Sequence, residues 1–370
     1  MDLINLYDFE AAARGALSPM AFGYYVGGAH DEITLRENHS AYDRITLRYR
    51  VLRDVSSRST AATVLGRAVS MPILVAPTGF QGLAHEDAEV GTARAAGAAG
   101  TVMILSTLST TPMEDVAAAG GDVWFQLYVY KERELTAQLV RRAEAAGCGA
   151  IVLTVDAPLL GGRERDLRNR FQLPEGIVVS NVLPAGKERL PESMSGSRLA
   201  AYVEEMFDAS LDWDDLAWLC ELTDLPVLVK GIVHPDDARM ASEHGAAGVI
   251  VSNHGGRQLD TSPPTIEALP RVLEAVASAW PGGPAGSVER GCAVLVDGGI
   301  RRGTDVVKAI AMGADAVCVG RPVLWGLAVD GEAGVSRVLE ILRNELDLAM
   351  GLCGASSVDE LRAMGPELLS

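Results

Sequence analysis

The sequence predicts an α/β fold, a closed (β/α)8 TIM barrel with an N-terminal helical arm and a long loop inserted after the fourth strand, on two observations. Short β-branched or apolar runs alternate with alanine-rich helical patterns, in the order Ile73 to Ala76, Val102 to Leu105, Trp124 to Leu127, Ile151 to Val155, Val227 to Lys230, Val249 to Ser252, Val294 to Asp297 and Ala316 to Val319. Continuous apolar runs suit strands buried on both faces, and the intervening helices supply the crossovers that parallel pairing requires. The second observation is chemical: polar side chains gather where these runs end, which is the mouth at which barrels carry their chemistry. An open doubly wound sheet gives the same alternation, but no Gly-x-Gly-x-x-Gly follows the first run.

Taken in order, residues 1–70 precede the first run and form an arm expected to pack across the barrel. Ala88 to Ala99, Arg133 to Ala146, Asp236 to His244 and Asp305 to Met312 read as barrel helices, with Gly147, Gly245 and Gly313 placed as left-handed stops. Residues 157–212 are rich in Gly, Pro, Ser and charge and are expected to be a lid without regular structure, apart from a surface strand at Ile177-Val178-Val179. Pro281 to Gly286 reads as a surface loop with no chemistry. The whole of 1–370 is one expected domain, with the barrel over 71–352 and a tail at 353–370.

Composition excludes several function classes. A net charge of -17 disfavours nucleic acid and anionic membrane as partners, because the mean field repels both. Cys148, Cys220, Cys292, Cys318 and Cys353 lie far apart, suggesting reduced thiols and neither a zinc site nor a disulfide framework. The start carries Asp2, Asp8 and Glu10, and no stretch is long and apolar enough to span a bilayer. A soluble cytoplasmic protein with no metal is expected.

The strand ends supply Gln126 and Tyr128, Thr154 and Asp156, Lys230, Ser252 and His254, and Asp297. Thr154 or Ser252 alone reads best as a hydrogen-bonded core group, but coincidence on successive strands favours a site. In Ser252-Asn253-His254-Gly255-Gly256-Arg257 an imidazole suited to general-base work stands three residues from a guanidinium, with Asp156 a candidate to orient it. Arg163 and Arg257 sit in glycine-containing loops where a planar fork can grip a carboxylate, and Lys230 ends a buried run where an ammonium needs an anion. His30, His39, His85, His234 and His244 lack a strand-end setting and receive no role. Asp297-Gly298-Gly299-Ile300-Arg301 and Gly320-Arg321 follow the last two runs, the usual place of a barrel phosphate site.

These residues carry a resemblance. Ser252 to Arg257, together with Tyr24-Tyr25, Pro77-Thr78-Gly79, Gln126-Leu127-Tyr128, Thr154-Val155-Asp156, Leu228-Val229-Lys230-Gly231 and Asp297 to Gly303, resembles over nearly the whole chain the FMN-dependent 2-hydroxy acid oxidases and dehydrogenases. The resemblance implies FMN, held by Pro77, Thr78, Gly79, Ser106, Gln126, Tyr128, Thr154, Lys230, Ser252, Asp297, Gly298, Gly299, Ile300, Arg301, Gly320 and Arg321. It makes His254 the base, Asp156 its partner, Arg163 and Arg257 the carboxylate grips, Tyr24 and Tyr128 substrate donors, and Lys230 the cation facing the reduced ring. Leu108 stands where glycolate-oxidising sequences carry tryptophan, and Gly79 where many members carry alanine, so the chain is most similar to the branch that oxidises 4-hydroxymandelate in antibiotic biosynthesis. An aryl 2-hydroxy acid, dioxygen as acceptor, hydrogen peroxide as product and a homotetramer are what that resemblance implies. A quinone-dependent mandelate or lactate dehydrogenase, a glycolate or lactate oxidase, and a flavin-binding barrel without catalysis are the alternatives.

Overall fold

The computed structural model describes residues 3–181, 198–279 and 291–370. The arm forms three helices, α1 (Leu6–Ala16), α2 (Pro19–Val26) and α3 (Ile33–Asp43), followed by a hairpin of β1 (Ala62–Val64) and β2 (Arg67–Val69). The barrel then runs β3 (Ile73–Val75), α4 (Ala88–Ala98), β4 (Val102–Leu105), α5 (Met113–Ala118), β5 (Asp122–Leu127), α6 (Arg133–Ala145) and β6 (Ile151–Thr154). After α7 (Glu164–Arg168), α8 (Arg198–Met206) and α9 (Trp213–Leu222) it resumes with β7 (Val227–Ile232), α10 (Pro235–Glu243), β8 (Gly248–Val251), α11 (Thr265–Ser278) and β9 (Ala293–Asp297). It ends with α12 (Gly303–Met312), β10 (Ala316–Val319), α13 (Arg321–Cys353) and α14 (Val358–Met364). Every barrel pair is parallel, and β10 pairs with β3 to close the sheet, as Val317 opposite Ile73 shows. The eight apolar runs are thus the eight barrel strands.

One alternating row of side chains explains both the core and the site. Leu74, Ile104, Trp124, Val152, Leu228, Ile250, Leu295 and Ala316 form a buried inner cluster. Two residues further along each strand the same face must turn inward again, and there the row reads Ala76, Ser106, Gln126, Thr154, Lys230, Ser252, Asp297 and Cys318. The barrel is therefore apolar at its base and polar at its C-terminal mouth. The β1–β2 hairpin adds Val64 and Val69 to the inner cluster and so plugs the base. Its turn, Leu65-Gly66, has positive φ at both residues (49° and 73°), the backbone of a tight two-residue hairpin. Leucine in place of asparagine or aspartate kept that turn out of sequence view.

Residues 157–212 depart from the expected structureless lid, since they contain α7 and α8. Leu199, Tyr202, Val203 and Met206 recur at helical spacing, with the first three buried, a local pattern masked by the polar composition of the segment around it. Ile177 to Val179 is not a strand; it is irregular, with Val179 buried. Pro281 to Gly286 lies outside the described residues. The 353–370 segment is tied back onto the arm, with the backbone N–H of Thr46 donating to Ser370 and that of Arg48 to Leu368 at 2.8 and 2.7 Å. Among the described residues no helix is long and apolar enough to cross a membrane.

Candidate active site

The polar end of the inner row opens into a cavity roofed by the arm and the insertion. His254 lies just past β8 in left-handed backbone (φ 59°), a conformation that costs free energy. Its backbone N–H donates to Ser252 Oγ at 3.1 Å, which fixes the loop, and its Nδ1 meets Asp156 Oδ1 at 2.8 Å. With Nδ1–H donating to the carboxylate, Nε2 is left as the unprotonated ring nitrogen. Asp156 packs against Gly231, where the pairing of β7 with β8 shifts register between Lys230 and Ile232. Gly231 has φ 110°, and a Cβ there would lie 2.6 Å from Asp156 Cβ, so glycine is required on both counts.

Charge sets the resting protonation. Burial, reinforced by Lys230 and Arg163, holds the His254 imidazole below its ordinary value in spite of Asp156. Burial raises the Asp156 carboxyl, but His254 and Lys230 outweigh it and keep the group below the usual aspartate range. A neutral imidazole is then the resting form near neutrality. Protonation removes the base, so kcat/KM is expected to stay level above pH 6.5 and to fall only on the acid side of an ordinary histidine. Asp156→Asn, which deletes the charge that favours the imidazolium, should move that limb further toward acid while lowering the plateau. Initial turnover rates across pH 4.5–8.5 measure both, and an acid limb above pH 7 contradicts this protonation state.

Lys230 is buried, donates to Ser252 Oγ at 3.0 Å and pairs with Asp297 at 3.3 Å. Burial works against its charge, but Asp297 and Asp156 more than compensate and raise it above the ordinary lysine value. The guanidinia show the reverse balance. Arg163 is pushed down to about 10 by burial and by Arg257 beside it, and Arg301 to about 10 by burial. Arg321 is also pushed well down, by burial, then Arg257 and Arg301. Buried cations crowded together call for anions. The C-terminal carbonyls of α2 hold two of them in place: Arg257 donates to Tyr24 O and Gly27 O at 2.6 and 2.9 Å, and Arg321 to Tyr25 O and Gly27 O at 3.0 and 2.9 Å. Arg163 is linked to the same group by its Nε donating to Arg257 O at 3.3 Å.

Two kinds of ligand surface result. Gln126 Oε1 accepts from Ser106 Oγ and the Thr107 N–H, which aims Nε2 away from both; Gln126 Nε2, Thr154 Oγ1, Asp297 Oδ1 and Arg301 Nε are buried without a protein partner. Donors and acceptors of this kind fit the edge of a planar heteroaromatic ring. Beyond them, Gly298-Gly299, Arg301, Gly320 and Arg321 line the cavity at the first turn of α13, which breaks at Asp330-Gly331, and a helix N-terminus there suits a phosphate. Pro77, Thr78, Gly79, Tyr128, Ile300 and Leu108 line the same cavity. Every residue expected at the site from the sequence lines this cavity or hydrogen-bonds a residue that does.

The sequence reading missed the aromatic supports and much of the apolar wall. Phe171 stacks on Tyr24 with ring centroids 4.3 Å apart, and Phe207 on Tyr128 at 4.6 Å, so the insertion braces both tyrosines. Leu160, Leu199, Val203 and Phe207 join Leu108 in lining the cavity. His39, given no role, stands near Arg301 and Arg321, and burial with those charges pushes it down to about 3. No local signal marks these as site residues, because contacts between segments distant along the chain bring them there.

The model of the FMN-dependent dehydrogenase family matches residues 13–367. Among curated proteins the chain is 50% identical over 363 residues to an L-lactate oxidase of Nostoc sp., covering 97% of this chain and 96% of that one. It is 48% identical over 364 residues to glycolate oxidase of Spinacia oleracea, covering 98% and 95%. Among solved structures, mandelate oxidase with (S)-4-hydroxymandelic acid superimposes with a TM-score of 0.91 at 43% identity, covering 100% of this chain and 98% of that one.

Proposed function

Because this chain belongs to the FMN-dependent dehydrogenase family, with FMN as its cofactor and 2-hydroxy acid oxidases as its relatives, we propose that its substrate is an aryl 2-hydroxy acid, 4-hydroxymandelate or mandelate. The product is the 2-keto acid, and dioxygen leaves as hydrogen peroxide. The carrying observation is the wall of Leu108, Leu160, Leu199, Val203 and Phe207, which gives a ring apolar surface opposite the cations that take a carboxylate.

In this reading Arg163 and Arg257 hold the carboxylate, Tyr24 and Tyr128 hydrogen-bond the substrate oxygens, and His254 Nε2 accepts the substrate proton. Asp156 then stabilises the imidazolium. FMN, when bound, supplies the two-electron acceptor that dioxygen regenerates. Gln126, Thr154, Ser106 and Ser252 fit its ring edge, Lys230 offers a positive charge where the reduced ring gathers negative charge, and Arg301 and Arg321 balance its phosphate. The higher identity to L-lactate and glycolate oxidases favours a second reading, a small aliphatic acid.

Anaerobic mixing separates the two. The flavin band is expected to bleach faster with 4-hydroxymandelate and mandelate than with lactate or glycolate, and air should restore it with one peroxide per turnover. Leu108→Trp should lower kcat/KM for the mandelates about tenfold or more by filling the ring space, and leave glycolate little changed. Faster bleaching by glycolate or lactate transfers the function to the second reading.

A further inference from the structure

Glu89 is a carboxylate on the first turn of α4, fully buried, and no cation among the described residues is bonded to it. Four donors surround it. Oε1 accepts from the backbone N–H of Gln81 at 3.0 Å and of Thr110 at 2.9 Å, while Oε2 accepts from Thr110 Oγ1 at 2.7 Å and Thr111 Oγ1 at 2.9 Å. Gln81 belongs to the loop after β3 and the threonines to the loop after β4. Thr110 Oγ1 also accepts from the Gly82 N–H at 2.9 Å while donating its hydrogen to Glu89. A carboxylate has the acceptor capacity to take all four donors at once.

Both loops wall the cavity. Gln81 Nε2 donates to Thr78 Oγ1 at 3.0 Å, and the Phe80 N–H donates to Leu108 O at 2.9 Å. A Cβ on Gly79 would lie 3.2 Å from Leu108 Cβ, so the two loops meet at the apolar wall. The insertion hangs on the same loop, Ser180 Oγ donating to Thr110 O at 2.6 Å and the Ser180 N–H to Ser109 O at 3.0 Å. The carboxylate grips, by contrast, come from loops that Glu89 does not touch.

From this we infer that Glu89 is a positioning residue for ring specificity: it fixes the spacing of the loops bearing Gly79 and Leu108, and thereby the fit of the substrate's aryl group but not of its carboxylate. The inference rests on the aryl reading of the site. Glutamine at this position can keep the two backbone N–H bonds at its one oxygen, but its amide nitrogen turns a donor toward the hydroxyls of Thr110 and Thr111, so two of the three bonds to the loop after β4 are lost.

Glu89→Gln and Thr110→Val, singly and together, test it in the FMN-loaded protein. The dissociation constant of phenylglyoxylate, read from the perturbation of the flavin band, should weaken about tenfold in each variant. That of glyoxylate should move less than about twofold, and kcat with mandelate should fall much less than KM rises. The double variant should be no worse than the worse single, as expected for residues acting through one bond. Equal weakening of both keto acids, or a lowered Tm with both affinities unchanged, reduces Glu89 to a purely structural group and overturns the inference. If the wild-type protein neither binds phenylglyoxylate nor is reduced by mandelates, it is the aryl reading that fails, a result visible before any variant is made.

Discussion

His254→Asn is expected to leave a yellow, folded protein whose anaerobic reduction by its acid substrate is slowed about 10²–10⁴-fold, the usual contribution of a positioned base. Asparagine is the informative replacement because it tolerates left-handed backbone, and His254 holds φ 59°. Backbone strain is then kept constant, and only the imidazole is removed. Asp156 would lose the partner that meets it at 2.8 Å, yet Lys230 remains to offset its charge. FMN affinity should therefore stay near normal, since Arg301 and Arg321, proposed to balance its phosphate, are untouched. Stopped-flow bleaching of the flavin band gives the rate, and gel filtration with absorbance at the flavin band gives occupancy. Near-normal bleaching would falsify the role of His254 as base.

Lys230→Met is expected to be the most destabilising single change at the site, by about 3–5 kcal/mol, because it leaves a buried carboxylate without its cation. Asp297 has little solvent to turn to, and its Oδ1 already lacks a protein partner. Asp156 loses a stabilising charge as well. The result should appear as a Tm lower by several degrees and a lower urea midpoint, with weakened FMN retention. Adding Asp297→Asn to Lys230→Met should recover much of the stability, since it removes the orphaned charge, but should not restore the reduction rate. A Lys230→Met protein that melts with the wild type would show that the pair at 3.3 Å contributes nothing net.

The strands were legible because each is short, apolar and followed by a helical pattern, so local composition alone carried the signal. The polar layer was legible for a related reason. Alternation along a strand is a fixed period, so a change from Trp124 to Gln126, or from Leu228 to Lys230, announces where the inner face stops being core. The helices of the insertion were not legible, since α8 is amphipathic only over nine residues within a polar, proline-bearing stretch. The plug hairpin was hidden by a turn that adopts positive φ at a leucine.

The chain by itself determined the barrel and which polar residues gather at its mouth, His254 with Asp156, Arg163 with Arg257, Lys230 and the glycine loops, because each depends on residue type at or just past a strand end. Only the tertiary structure decided what surrounds them: Phe171 and Phe207 beneath the two tyrosines, α2 carbonyls steadying Arg257 and Arg321, and Glu89 joining two loops. Those contacts form between segments distant along the chain, and packing between such segments has no period or spacing from which it can be read.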